Sequence, residues 1–141
     1  MNIRRDVVPL LLLERMGEIL GKTRFQKLMY LLQSKSDELK SRDVLFRYDL
    51  HYYGPFSADL EATLNEFAQH NLVAINVSVT SEGHPLYIYR LTGAGRRVLN
   101  EAKSLRLVTH DIEKDVDKVM KYYGHKPLRD LIAEAYAEYG R

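Results

Sequence analysis

The chain has 141 residues, a formal net charge of +2 and no cysteine. That length supports one hydrophobic core, and a composition 45% hydrophobic and 28% charged excludes a wholly disordered chain. The lack of cysteine excludes disulfides, thiolate metal sites and a cysteine nucleophile, and fits a cytoplasmic protein.

Taken in chain order, Asp6 is placed to cap a first helix that runs to about Leu20 and stops at Gly21. Pro9 is tolerable if it falls in the first turn, where its missing N–H costs little. The apolar run Val7–Leu13 reads as a core helix rather than a leader, because Pro9 interrupts it and Glu14 and Arg15 close it without a cleavage site. Nothing approaches the ~20 apolar residues that span a bilayer, so no membrane partner is expected.

Thr23 is read as the cap of a second helix, with Phe25, Leu28, Met29 and Leu32 as its buried stripe. Lys22, Arg24 and Lys27 lie off that stripe near the helix start and form a basic cluster. The polar residues 34–43 read as a loop. Val44–Tyr52 alternates in the manner of a half-buried strand. Gly54-Pro55 is expected to turn the chain, and Ser57 to cap a third helix that buries Leu60, Leu64, Phe67 and Ala68 and stops near Asn71.

A hairpin follows. Val73, Ile75, Val77 and Val79 alternate, residues 81–85 turn, and Leu86–Leu91 returns. Thr92 caps a fourth helix with Val98, Leu99 and Ala102 inward. Thr109–Tyr123 buries Ile112, Val116, Val119, Met120 and Tyr123, with Asp111–Lys114 and Asp117–Lys121 paired outside. Pro127 starts the last helix, whose stripe is Leu128, Leu131, Ile132, Ala135, Tyr136 and Tyr139. The fold class expected is α+β, mostly helical. It is a winged helix-turn-helix over 1–104 with a two-helix C-terminal extension over 105–141, which either packs back or pairs with a second copy as a homodimer.

Three local patterns resemble a known family: KTRFQKLMYLL (Lys22–Leu32), YYGPFSADL (Tyr52–Leu60) and YRLTGAGRRVL (Tyr89–Leu99). With the closing PLRDLIAEAYAEY, the chain resembles the YwgA-like proteins of bacteria and archaea. More distantly it is similar to the Panacea-type antitoxin domain, which shares the QKL-Y helix and the YGP-S turn. The resemblance implies a winged-helix-like fold and no known catalysis. The Leu91–Gly95 pattern is shared with winged-helix transcription regulators, where it marks the exit from the wing.

The residues themselves give no catalytic frame, with neither nucleophile elbow nor paired carboxylates, and no cofactor fingerprint. The five histidines are too dispersed for a metal site, and Gly93–Arg97 lacks the third glycine of a dinucleotide loop. No enzyme, cofactor or metal is expected.

The function expected is a non-catalytic winged-helix regulatory module that binds DNA in the manner of a small transcription regulator. For double-stranded DNA, Lys22, Arg24 and Lys27 would meet phosphates, Tyr53, Phe56 and Ser57 would form the tip of the reading helix, and Arg96 and Arg97 would add contacts. Against this, residues 48–89 contain no Lys or Arg and five acids, Asp49, Asp59, Glu61, Glu66 and Glu82. Asp59 and Glu61 stand in the first turn of the reading helix, where they repel phosphate. The alternative is a basic protein docked on the acidic 48–89 face by an adaptor or antitoxin-like module.

Overall fold

The computed structural model describes residues 2–43 and 45–141. Its helices are α1 (Ile3–Met16), α2 (Lys22–Lys35), α3 (Asp37–Ser41), α4 (Ala58–Gln69), α5 (Gly93–Ser104), α6 (His110–Tyr123) and α7 (Leu128–Tyr139). Its strands are β1 (Glu18–Leu20), β2 (Asp49–His51), β3 (Gly54–Phe56), β4 (Val73–Val79) and β5 (Pro85–Leu91). The chain is thus α+β and mostly helical. β1, β5 and β4 form an antiparallel sheet in that order, with Ile19 opposite Tyr89 and Ile75 opposite Tyr89 on its other side. β2 and β3 form a separate two-stranded ribbon. Among the described residues, no helix is long and apolar enough to cross a membrane.

The core is built on α1 and α2. Leu10 to Leu13 are all fully buried, so α1 is surrounded on most sides. Phe25, Leu28, Met29 and Leu32 are buried as their spacing predicts, and Phe25 meets Tyr89 edge-on at 5.1 Å. α6 packs on α1 and α2, and α7 packs on α2 and β3. The C-terminal helices therefore pack back on the core, although Leu128 of the expected α7 stripe stays exposed. Leu131 and Ala135 are fully buried, while Tyr136 and Tyr139 stay partly exposed.

Several boundaries differ from the sequence reading. α1 ends at Met16, because Gly17 at φ +80° breaks the helix and its N–H bonds Leu13 O. The next three residues become β1, too short a strand to show a period of two. Gly21, at φ +103°, starts α2 in place of Thr23 and offers no side-chain cap. Asn2 caps α1 in place of Asp6, which is buried in the first turn against Arg5 Nε at 2.9 Å. With the cap moved upstream, Pro9 lies inside the helix and is buried there. Residues 34–43 hold the end of α2 and then α3, capped by Ser36 with Leu39 buried beneath it. Asp117 bonds Arg15 Nε at 3.0 Å instead of pairing with Lys121.

The expected strand Val44–Tyr52 shrinks to Asp49–His51; Val44 itself lies outside the described residues. The reason is visible at Phe46. Gln33 of α2 donates to Phe46 O (2.6 Å) and accepts from Phe46 N (2.8 Å), so a side-chain amide takes the place of a neighbouring strand. The caps expected at Ser57 and Thr92 are present, and Thr109 caps α6 in the same way, each side chain accepting from an N–H three residues on.

Candidate functional site

The ribbon β2–β3 projects a two-residue tip. His51 pairs with Gly54, so Tyr52 and Tyr53 form the loop, and Gly54-Pro55 belongs to β3 rather than to the turn. Tyr52 is 86% exposed and Tyr53 58% exposed, with their rings edge-on at 4.8 Å. Across the ribbon, the His51 and Phe56 rings lie 4.8 Å apart.

Both flanking helices hold this tip from behind. Gln26 of α2 donates to Ser57 O (2.9 Å) and accepts from Ser57 N (2.8 Å), repeating what Gln33 does at Phe46. Lys27 Nζ donates to Pro55 O at 2.8 Å. From α7, the Tyr136 hydroxyl donates to Tyr52 O (2.8 Å), with His51 O at 3.3 Å. Gly54 has φ +104°, and a Cβ there would lie 3.4 Å from Lys27 Cε and from the Tyr136 ring. The added atom would sit at ordinary contact distance, so it is the backbone angle that calls for glycine. Two of the patterns that carry the family resemblance, QKL on α2 and YGPFS on the ribbon, are therefore two halves of one clamp.

The basic cluster does not form a cationic face. Lys27 is only 2% exposed, and burial pushes its ammonium pKa down to about 8. Its long stem crosses under the ribbon, which is why helical spacing alone misplaces it. Arg24 bonds Gly124 O at 3.2 Å, next to α6. Lys22 alone of the three is exposed, and its Nζ sits 4.3 Å from the Tyr87 ring centre. Ser57 is fully buried, its hydroxyl used by Leu60 N, so it offers nothing to a phosphate.

Lys22, Lys27, Tyr53 and Phe56 do come together, as walls of one cavity of about 290 Å³ beside the tip. Asp59, Glu61, Arg96 and Arg97 are not among its walls. Asp59 reaches Arg5 at 3.9 Å, and Glu61 is half-buried near Tyr89, whose phenol is held above its ordinary pKa by burial and then by that charge. Arg96 lies 3.8 Å from Glu14, while Arg97 is exposed. Gly95 packs closely where α5 follows the hairpin; a Cβ there would meet Leu72 O at 2.0 Å.

Gln26 and Gln33 were not singled out in the sequence, and Tyr136 stood there only as part of the last helix's apolar stripe, not as a hydrogen-bond donor. A signal existed for the glutamines: they stand seven residues apart on one helix, hence on one face, beside an apolar stripe. Nothing local marks Tyr136, because its partners are over eighty residues away.

The chain is similar to the uncharacterized protein YwgA of Bacillus subtilis (strain 168), at 31% identity over 87 residues. The match covers 61% of this chain and 48% of that protein, about half its length. The similarity supports a YwgA-like family. No protein-family model matches the chain.

Proposed function

We propose that this chain is a non-catalytic winged-helix module whose partner is a basic protein, in an adaptor or antitoxin-like role. The element order supports the winged-helix reading: a helix, an edge strand, helices, and a hairpin that closes the three-stranded sheet. The observation that carries the protein reading is the clamped aromatic tip. Tyr52 and Tyr53 are exposed, yet four side-chain hydrogen bonds from Lys27, Gln26 and Tyr136 fix the backbone at Tyr52, Pro55 and Ser57. Rigid exposed aromatics are the usual anchors of protein interfaces. In the same acidic stretch 48–89, Asp49 on β2 and Asp59 and Glu66 on α4 are exposed, so a partner whose docking face carries Lys and Arg suits this segment.

DNA recognition is the weaker reading. Of the residues expected to meet phosphate, Lys27 and Ser57 are buried and Arg24 is engaged with α6. The deciding experiment is fluorescence anisotropy with random duplex DNA over a range of salt, beside capture of a partner from the source cell. No duplex binding is expected at low salt. The captured basic protein should be lost with Tyr52→Ala/Tyr53→Ala and weakened by Asp59→Asn/Glu66→Gln. Micromolar, steeply salt-dependent DNA binding that Lys22→Ala and Arg97→Ala reduce would reverse the assignment.

A further inference from the structure

Lys27 presents a buried charge with no counter-ion. The residue is 2% exposed, and among the described residues its Nζ gives a single hydrogen bond, to Pro55 O, with no carboxylate within 4.0 Å. An ammonium carries three donors, so the remaining protons have no acceptor among the described residues. Leaving a cation buried and unpaired is costly. Burial lowers its pKa to about 8, which still leaves it mostly protonated at neutral pH.

The cavity that Lys27 lines contains no acid to supply the missing charge. Its charged or titratable walls are Lys22, Lys27, His51 and the phenols of Tyr52 and Tyr53, and Phe56 adds an apolar ring. The first turn of α2, which also contributes walls, has neither a side-chain cap nor an acidic residue, so the positive end of that helix is likewise unanswered.

We propose that this cavity binds a carboxylate carried on a small apolar or aromatic body, with the carboxylate set against the Lys27 ammonium. A monoanion fits better than a phosphate. One buried positive charge awaits balance, Lys22 is already placed over the Tyr87 ring, and no arginine fork lines the cavity. The three aromatic rings and the volume of about 290 Å³ suit a carboxylate joined to one ring. The inference rests on the uncompensated cation, not on the protein-recognition reading, and stands if that reading fails.

The same chemistry comes from a free organic acid or from the C-terminus of a peptide. The test is heteronuclear NMR of the Lys27 side chain in the labelled full chain. Phenylacetate, phenylacetamide, and a tripeptide Gly-Gly-Phe with free or amidated C-terminus are added in turn. The acids should shift the Lys27 resonances with a Kd of about 1 mM or tighter, raise its pKa, and bind at least about tenfold better than the amides. The tighter of the two acids identifies the source. Lys27→Met should abolish the acid preference, and Lys22→Met should keep most of it. If Lys27→Met does not fold, the acid-to-amide comparison on the native chain still decides. Equal binding of acids and amides, or unmoved Lys27 resonances at about 10 mM acid, would overturn the proposal.

Discussion

Replacing Gln26 with alanine removes both hydrogen bonds that hold Ser57, at 2.9 and 2.8 Å. Gln26 is 4% exposed and Ser57 fully buried, so water does not readily take over. Each orphaned buried backbone group costs about 1–3 kcal/mol, and the truncated side chain leaves a small void besides. Some relaxation at the exposed ribbon offsets this, and the expected loss is about 3 kcal/mol. For a domain of this size that lowers Tm by roughly 10 °C. Urea and thermal denaturation followed by circular dichroism measure the loss, and hydrogen exchange at the Ser57 amide locates it. Gln26→Glu keeps the acceptor for Ser57 N but sets a carboxylate against Ser57 O, so it should also destabilise. A loss below about 0.5 kcal/mol for alanine, with the Ser57 amide still protected, would refute the clamp.

Other perturbations follow from the same geometry. Gly95→Ala drives a methyl into Leu72 O and Leu91 Cδ1, at 2.0 and 2.7 Å, and should cost about 3 kcal/mol or more in a urea titration. Lys27 has a folded pKa of about 8 against 10.5 unfolded, so the unfolded chain holds its proton to higher pH. Stability should therefore rise with pH from pH 7.5 to 9.5, by about 2 kcal/mol, and a flat profile by denaturant melts would count against an uncompensated buried ammonium. Tyr48 and Tyr89, whose raised pKa values act in the opposite sense, contribute only above about pH 10. Tyr136→Phe loses the bond to Tyr52 O on a partly exposed surface, so about 1 kcal/mol or less in stability but a more mobile tip by NMR relaxation. Tyr52→Ala, at an exposed site, should leave Tm within about 2 °C while weakening partner capture.

Much of the helical frame was legible. Phe25, Leu28, Met29 and Leu32 repeat at the helical period, and Ser57 and Thr92 stand where caps belong. These signals are local, because a helix satisfies its backbone within a few residues. The hairpin from Val73 to Leu91 was equally plain, since alternation on both sides of a turn is also local. β1 was missed because Glu18–Leu20 becomes a strand only through β5, about seventy residues later. The segment 45–48 was read as strand because Phe46 and Tyr48 do point inward, but its partner is the side chain of Gln33 rather than another strand.

The site divides in the same way. Sequence alone determined that the tip carries tyrosines, that a glycine and a proline follow them, that Ser57 opens a helix, and that residues 48–89 are acidic. Those are properties of composition and of contacts a few residues apart. The tertiary structure alone decided which polar side chains are spent inside and which face outward. It drew Lys27 and Gln26 under the ribbon, brought Tyr136 from the last helix to Tyr52, and left Tyr52 and Tyr53 in solvent. The physical reason is reach: a lysine, glutamine or tyrosine extends several ångströms from its helix, and whether it ends in water or against a carbonyl depends on what the distant chain has placed there.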